Sequence, residues 1–121
     1  VMRACSQIKR KHEDSTWINE DFVQAYTNLH HLDIAFSIEC YLNEELVGGL
    51  YGLLIGNIFC GESMFAKVTD ASKVAFYHLC QQAEENGIKL IDCQVYNDHL
   101  ASLGAYEIKR EKYFEILNEN I

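Results

Sequence analysis

The sequence predicts a mixed α/β fold, in which an antiparallel meander of three strands is followed by a helix, a strand, a second helix and a last strand. Short turns at 43–45 and 56–57, between apolar segments, predict the meander over residues 36–61. An amphipathic helical segment separates it from another apolar segment, 89–95. A helix of this length between two strands is typical of a right-handed β-α-β crossover, so we expect these strands to be parallel.

Size and composition limit the classes of protein to which the chain can belong. Its 121 residues, 49% of them hydrophobic, suit one globular domain with a substantial core. The net charge of −8 argues against a dominant nucleic-acid surface and against DNA binding, although basic clusters occur at 9–11 and 109–112. No apolar segment approaches the roughly 18 residues of a membrane helix, so no membrane partner is expected. Five scattered cysteines without a C-x-x-C pair fit a reducing compartment, and we expect a cytoplasmic protein.

Two helices are predicted before the meander. A short helix that ends in a basic cluster is predicted over residues 1–11. Asn19 is a good N-cap candidate for the second helix, because Glu20 and Asp21 follow it in the first turn, where negative charge is favourable. The apolar residues that come next have the spacing of one helix face, namely Phe22, Val23, Tyr26 and Leu29.

The three strands of the meander are predicted at 36–42, 46–55 and 58–61. The middle strand contains three glycines, Gly48, Gly49 and Gly52, although glycine weakens a strand. They indicate a bulge or a close approach of the backbone, and tight packing under a neighbouring helix explains them equally well.

The second half of the chain predicts the remaining elements. Asp70 is expected to cap a helix that Gly87 ends, and Asn97 to cap a short helix that reaches about Leu103. A last strand is expected near 106–108. This order of elements is that of the acetyltransferase-like acyltransferase fold, an analogy that by itself establishes no chemistry.

The strand predicted at 89–95 carries a carboxylate and an amide in an apolar setting. Asp92 and Gln94 are two residues apart, so in a regular strand they lie on the same face, about 6.6 Å apart. They also lie toward the carboxyl end of the strand, where open α/β sheets usually bind ligands, which favours a catalytic role. The alternative is a buried polar pair that the backbone and Asn97 or His99 satisfy.

The segment FCGESMF, residues 59–65, places Glu62 and Ser63 between apolar side chains where the third strand is predicted to end. A carboxylate in such surroundings is costly unless it is paired or used, so Glu62 is a second candidate site residue. The alternative is a surface loop with one exposed glutamate.

Coenzyme A and metal ions are not expected as cofactors. Residues 62–73 contain no glycine for a phosphate-binding turn, and Asp70 would repel a phosphate from the helix that follows. His30 and His31 are adjacent on a predicted helix, so they cannot face one metal ion together, and zinc needs three or four ligands.

Six motifs, in order and at matching spacing, resemble one family of enzymes: TWI (16–18), ELVGGLYG (45–52), FCGESMF (59–65), DASK (70–73), LIDCQ (90–94) and NDHLASLGA (97–105). From about Thr16 to Leu117 the chain closely resembles the bacterial leucyl/phenylalanyl-tRNA–protein transferases. The resemblance implies a cytosolic aminoacyltransferase with an acetyltransferase-like fold and no cofactor. Its partners would be aminoacyl-tRNA carrying leucine, phenylalanine or sometimes methionine, and proteins with N-terminal lysine or arginine, which are thereby marked for degradation. Family members also have a separate N-terminal domain, so residues 1–121, which begin without an initiator methionine, are expected to be a catalytic domain that lacks it.

The resemblance also implies roles for individual residues. Gln94 would lie beside the attacking amine, with Asp92 as its orienting or charge-balancing partner, and Asp92 could instead bind the positive acceptor terminus. Glu62 would hold the site from the opposite strand, and Asn97 would hydrogen-bond the adenosine or the aminoacyl group. Trp17 would stack on the terminal adenosine, the alternative being a hydrophobic anchor for the helix that follows. A dry pocket for the transferred side chain is expected from Leu50, Phe59, Met64, Leu79 and Ile91, each of which, taken alone, is also typical of ordinary core.

Two other functions compete with this one. The first is a coenzyme-A-dependent N-acetyltransferase, which the missing phosphate-binding glycines disfavour. The second is a non-catalytic fragment that binds tRNA or a degron, a hypothesis motivated by the expected loss of a domain.

Overall fold

A four-stranded mixed sheet lies at the centre of the computed structural model, which describes residues 1–7, 18–94 and 98–119. The first three strands pair in chain order as an antiparallel meander, and the fourth strand lies parallel beside the third. This arrangement confirms the mixed α/β class, the meander and the β-α-β crossover. The elements in chain order are α1 (Met2–Gln7), α2 (Glu20–His31), β1 (Ala35–Leu42), β2 (Glu45–Ile55), β3 (Ile58–Ala66), α3 (Ala71–Glu85), β4 (Leu90–Asp92), α4 (Asp98–Ser102) and α5 (Arg110–Asn118).

The two faces of the sheet are covered by different helices. Helix α3 packs on one face, where Leu50 and Phe59 of the sheet meet Ala75 and Leu79 of the helix in one buried cluster. On the other face a second cluster joins sheet residues to the N-terminal region, through Cys5, Ile18, Tyr51 and Phe65. We refer to these faces as the α3 face and the α1/α2 face.

Helix α2 begins where the sequence predicts. The side-chain Oδ1 of Asn19 accepts a hydrogen bond from the backbone N–H of Phe22 at 3.1 Å, which satisfies one of the free donors of the first turn. Helix α1 lies within the range predicted for the first helix.

Glycines allow a close approach and accompany a bulge in the middle of the sheet. A Cβ added to Gly48 would lie 2.5 Å from the Cβ of Ala71, so β2 passes directly beneath the start of α3. At Gly52 the register between β2 and β3 shifts, because Tyr51 pairs with Ser63 whereas Gly52 pairs with Gly61. Both explanations offered for the glycines therefore apply, one to each position.

The ends of α3 differ in how far they follow the prediction. Asp70 occupies the N-cap position but has a left-handed backbone (φ 67°), and its side chain makes no capping hydrogen bond. It forms an ion pair with Lys73 at 3.2 Å instead, so the predicted capping by the Asp70 side chain is wrong. At the other end Gly87 is left-handed (φ 71°) and Ile88 N–H donates to the carbonyl of Ala83, which confirms the predicted stop.

Two strand boundaries also differ from the prediction. Strand β3 continues to Ala66, beyond the predicted 58–61, because β2 is long enough to pair with it throughout. Strand β4 ends at Asp92 instead of reaching 95, since Gln94 has a left-handed backbone (φ 67°) that a regular strand does not allow.

The last predicted strand, near 106–108, is wrong. These residues lead into helix α5, and no described strand lies beside them to form a ladder. Tyr113, Ile116 and Leu117 recur at helical spacing and are half-buried, which explains why this segment folds as a helix. The predicted cap at Asn97 lies outside the described residues. None of the helices in the described ranges is long and apolar enough to cross a membrane.

Candidate active site

The candidate site lies on the α1/α2 face of the sheet, at the carboxyl end of β4. Ile91 of β4 pairs with Phe59 of β3, whose side chain belongs to the α3 face. The next pair, Asp92 with Cys60, must therefore point to the opposite face, because side chains alternate along a strand.

The carboxylate of Asp92 is held at both of its oxygens. Oδ1 accepts the backbone N–H of Gln94 at 2.8 Å, and Oδ2 accepts the hydroxyl of Tyr113 at 2.9 Å. Hydrogen bonds to an ionised acceptor are the stronger class, so the half-buried carboxylate has a defined orientation.

Gln94 is fixed by a contact across the sheet. Its side-chain Nε2 donates to the backbone carbonyl of Gly61 in β3 at 2.8 Å. The structure thus brings Asp92 and Gln94 together, but through a turn and not as neighbours on one strand face, so the predicted strand geometry of this pair is wrong.

Glu62 is the extra residue of the β-bulge in β3. Tyr51 and Gly52 of β2 pair with Ser63 and Gly61, and Glu62 between them has no opposite residue. Bulges re-aim side chains and are frequent beside active sites. Because Glu62 is half-buried inside a strand, the alternative of an exposed surface loop is wrong.

A tyrosine of α2 contacts this glutamate. Burial, then the charge of Glu62 and a hydrogen bond from the phenol to its carboxylate, raise the pKa of Tyr26. The ring of Tyr26 packs edge-on against Tyr51, with centroids 5.7 Å apart. Tyr26 therefore remains a protonated donor that holds Glu62 from the α2 side.

Tyr113 and Cys60 complete the surroundings of Asp92. Burial, followed by the hydrogen bond to Asp92 and its charge, raises the pKa of Tyr113, so this hydroxyl stays protonated. Burial and the charge of Asp92 likewise raise the pKa of the Cys60 thiol, with Glu62 adding to the effect and a hydrogen bond with Tyr113 opposing it. A thiol in this setting is a poor nucleophile, which argues against a covalent role for Cys60.

Sequence reasoning overlooked Tyr113 and assigned Tyr26 only to a helix face. The spacing of Tyr113, Ile116 and Leu117 was a signal for an amphipathic helix. No local pattern indicates that the hydroxyl of Tyr113 reaches Asp92, 21 positions earlier in the chain.

The five residues predicted to line a pocket gather in one cluster on the α3 face. Leu50, Phe59 and Leu79 are only 3, 4 and 5% exposed and form its centre. Met64 and Ile91 pack against them and are half-buried, so a substrate can reach these two most readily.

The polar group and the apolar cluster lie on opposite faces of the sheet, and both include a residue from the part of β3 that lies beyond the end of β4. Strand β3 pairs with β4 only over Ile58–Cys60, and among the described residues its segment 62–66 has no strand neighbour on that edge. Met64 of the apolar cluster and Glu62 of the polar group both belong to this segment. Trp17 and Asn97 lie outside the described residues, so their roles remain predictions.

A separate cavity of about 280 Å³ opens on the α1/α2 face between α1, α2 and β1. Its lining includes Arg3, Tyr26, His30 and Ser37, and Tyr26 is the residue that joins it to the group around Glu62. Within residues 1–7, 18–94 and 98–119, no group of three or more histidine, cysteine or acidic side chains is arranged to hold a metal ion.

A solved structure has the same fold. The protein AAC(6')-Iy, solved in complex with the bisubstrate analogue CoA-S-monomethyl-acetylneamine, superposes with a TM-score of 0.63 over 90% of this chain and 84% of that one. At 12% sequence identity, the likeness shows the acetyltransferase-like fold alone.

The sequence comparisons identify the family. The model of the family described as leucyl/phenylalanyl-tRNA protein transferase matches residues 1–118. Transferases of that name from Flavobacterium johnsoniae and Syntrophobacter fumaroxidans are 51% and 50% identical over 97% and 100% of this chain. The chain spans 55% and 52% of those two proteins, about half the length of the curated relatives it matches. With both the family model and these relatives covering nearly every residue, the chain belongs to the leucyl/phenylalanyl-tRNA–protein transferase family.

Proposed function

We propose that this chain is the catalytic domain of an aminoacyltransferase. It moves leucine, phenylalanine or sometimes methionine from aminoacyl-tRNA to the α-amine of proteins with N-terminal lysine or arginine, which are thereby marked for degradation. The observation that carries the proposal is the link from Asp92 through Gln94 to Gly61, beside the bulge at Glu62. It holds an amide and two carboxylates around the point where β3 and β4 separate.

The reaction needs no cofactor, because aminoacyl-tRNA is an activated ester. The neutral α-amine of the acceptor attacks the ester carbonyl, a C–N bond forms, and the C–O bond to the ribose breaks. One proton passes from the amine nitrogen to the leaving ribose oxygen. The protein must therefore orient the amine and assist this proton transfer.

Gln94 is the residue that we assign to the amine. Its Nε2 is engaged by Gly61, which leaves the side-chain Oε1 as the acceptor for an N–H of the nucleophile. An amide is too weak a base to remove a proton alone, so Gln94 contributes by positioning and relay. Asp92 orients Gln94 through its backbone N–H.

The carboxylates suit a cationic acceptor. Asp92 and Glu62 are acidic side chains that lie half-buried on the same side of the separating strands. Their combined field attracts the positive acceptor terminus. We assign them to this attraction as well as to the orientation of Gln94.

The transferred side chain is assigned to the apolar cluster on the α3 face. Met64 and Ile91 would line its entrance, with Leu50, Phe59 and Leu79 forming the floor. The flexible thioether of Met64 can adapt to leucine and to phenylalanine. Trp17 and Asn97 retain their proposed contacts with the terminal adenosine and the aminoacyl group.

An N-acetyltransferase using coenzyme A is the weaker candidate. Helix α3 follows β3, where a pyrophosphate would need free backbone N–H groups and positive potential. Asp70 introduces a carboxylate at that helix end, and its backbone is already left-handed. We also propose the cytoplasm as the compartment, because all five cysteines are free thiols, which fits a reducing environment.

The test uses tRNA charged with labelled leucine and a peptide with N-terminal arginine. Label in the peptide supports the proposal, and the same peptide with an acetylated α-amine is the matched control, since it lacks the nucleophile. Binding of the charged tRNA without transfer would support a non-catalytic fragment instead. Acetylation of the peptide from acetyl-coenzyme A would support the acetyltransferase.

A further inference from the structure

Helix α5 is attached to β4 at two points. The hydroxyl of Tyr113 donates to Asp92 at the end of the strand, and Glu119 pairs with Lys89 just before its start. Six residues of helix, from Tyr113 to Glu119, span about 9 Å, and three extended residues, from Lys89 to Asp92, span about 10 Å. The spacings match, so α5 runs antiparallel to β4.

Among the described residues, the Tyr113 hydroxyl interacts with Asp92 and with the thiol of Cys60. Because burial raises the pKa values of both the phenol and the thiol, each keeps its proton. The phenol has one proton to donate, and it goes to Asp92 Oδ2, while the sulfur of Cys60 lies beside the hydroxyl as a weaker acceptor. Tyr113 of α5 thus contacts Cys60 of β3 and donates its hydrogen bond to Asp92 at the end of β4.

We propose that Tyr113 is a positioning residue for aminoacyl transfer. Its hydroxyl holds the Asp92 carboxylate in the orientation at which Oδ1 accepts the N–H of Gln94. This inference rests on the proposed function, and it assigns to α5 a part in the chemistry that the six sequence motifs do not include.

The reason lies in the geometry of the carboxylate. With both oxygens engaged, Asp92 cannot rotate about its side-chain bond without losing a hydrogen bond. If the hydroxyl is removed, the carboxylate is free to turn, and Gln94 loses the partner that supports its left-handed backbone. The amide that contacts the nucleophile is then poorly placed, whereas the sites for the tRNA and the side chain are untouched. The expected effect is therefore on kcat and not on KM.

The test compares Tyr113→Phe with the wild-type chain in the leucine-transfer assay. We expect kcat to fall about tenfold, a change that corresponds to the free energy of about one hydrogen bond to a charged group. KM for the charged tRNA should stay unchanged within about twofold. Tyr77→Phe is the matched control, since Tyr77 is an exposed residue of α3 whose hydroxyl contacts Gln81, and it should behave as wild type. Glu119→Gln releases the other attachment of α5 and should also keep wild-type kcat.

A double variant tests whether Tyr113 acts through Asp92. In an Asp92→Ala background, Tyr113→Phe should cause no further loss of kcat, because Tyr113 acts through Asp92. All rates are measured at a temperature below the unfolding midpoint of the least stable variant, so that every variant is folded in the assay. Wild-type kcat in Tyr113→Phe, an equal loss in Glu119→Gln, or an additive loss in the double variant would each overturn this inference alone. A wild-type chain that transfers no leucine would overturn the proposed function, and this inference with it.

Discussion

The side-chain Nε2 of Gln94 lies 2.8 Å from the backbone oxygen of Gly61, so a glutamine amide continues the bonding between β3 and β4 after β4 has ended. The contact determines which end of the amide can meet a substrate. The donor Nε2 is bound to the backbone carbonyl of Gly61, so the acceptor Oε1 is left for the nucleophile. Gln94 is therefore expected to depend on its amide group and not only on its size.

Two substitutions test this dependence. Gln94→Ala should lower kcat about tenfold, about 1.4 kcal/mol, the smaller end of what a positioning residue contributes. Gln94→Glu keeps the shape but replaces the donor by a carboxylate that Gly61 O and Asp92 repel, so its loss should be at least as large. Gln81→Ala, on the exposed surface of α3, is the control. A wild-type rate in Gln94→Glu would show that the donor to Gly61 is not needed.

Asp92→Ala should abolish most of the transfer while the fold persists. The change leaves the donors of Gln94 and Tyr113 without their acceptor, at a cost of about 1–3 kcal/mol in the free energy of unfolding for a buried group. Since Asp92 is only half-buried, water can satisfy part of this loss. Circular dichroism and urea unfolding measure the fold, and the leucine-transfer assay measures the rate. If the folded variant transfers leucine at the wild-type rate, Asp92 is a structural residue only.

The elements that sequence predicted well carry strong local signals. The cap at Asn19, the turns of the meander and the stop at Gly87 each depend on residues a few positions apart, and the structure contains all three. The segment near 106–108 has too short an alternation to distinguish a strand from an extended connector. Within the part of the chain that the structure describes, no strand lies beside this segment to pair with it, so it forms the connector that leads into α5.

The candidate site was predictable in its residues but not in its geometry. Asp92 and Glu62 stood out because carboxylates are rare in apolar segments. That Gln94 leaves the strand in a left-handed conformation, which glycine favours, has no sequence signal. Gly52 of β2 indicated a bulge, but nothing in the sequence indicated that Glu62 would be its extra residue. The hydrogen bond between Tyr113 and Asp92 depends on the tertiary arrangement of α5, which local patterns do not determine.

Met64→Ala should alter which amino acid is transferred more than the rate of transfer. A change of this kind in an apolar pocket contributes about 1–3 kcal/mol of discrimination, so the ratio of leucine to phenylalanine transfer should shift modestly. Ile38→Ala is the control, because Ile38 packs against the same cluster from β1, the strand farthest from β4. The measurement is competition between the two charged tRNAs. An unchanged ratio in Met64→Ala, or an equal shift in Ile38→Ala, would assign Met64 to the core alone.

Under the proposed function, the acidic character of the chain predicts how it would bind a polyanionic tRNA. A net charge of −8 opposes long-range attraction, so this chain should bind chiefly the aminoacyl-adenosine end, through pocket and stacking contacts. Each phosphate that a protein neutralises on a single strand adds about 0.7 to the slope of log affinity against log salt, and we expect a slope of only about 1 to 2 here.

The comparison is with a full-length relative, of which this chain matches about half. That protein should bind charged tRNA more tightly and with a steeper slope, because the additional part would supply most of the phosphate contacts. Arg110→Glu in the present chain tests the basic cluster at the start of α5, and it should lower the slope if the cluster contacts phosphate. Equal affinities and equal slopes for the two proteins would mean that this domain alone holds the tRNA, and that its net charge does not govern the binding.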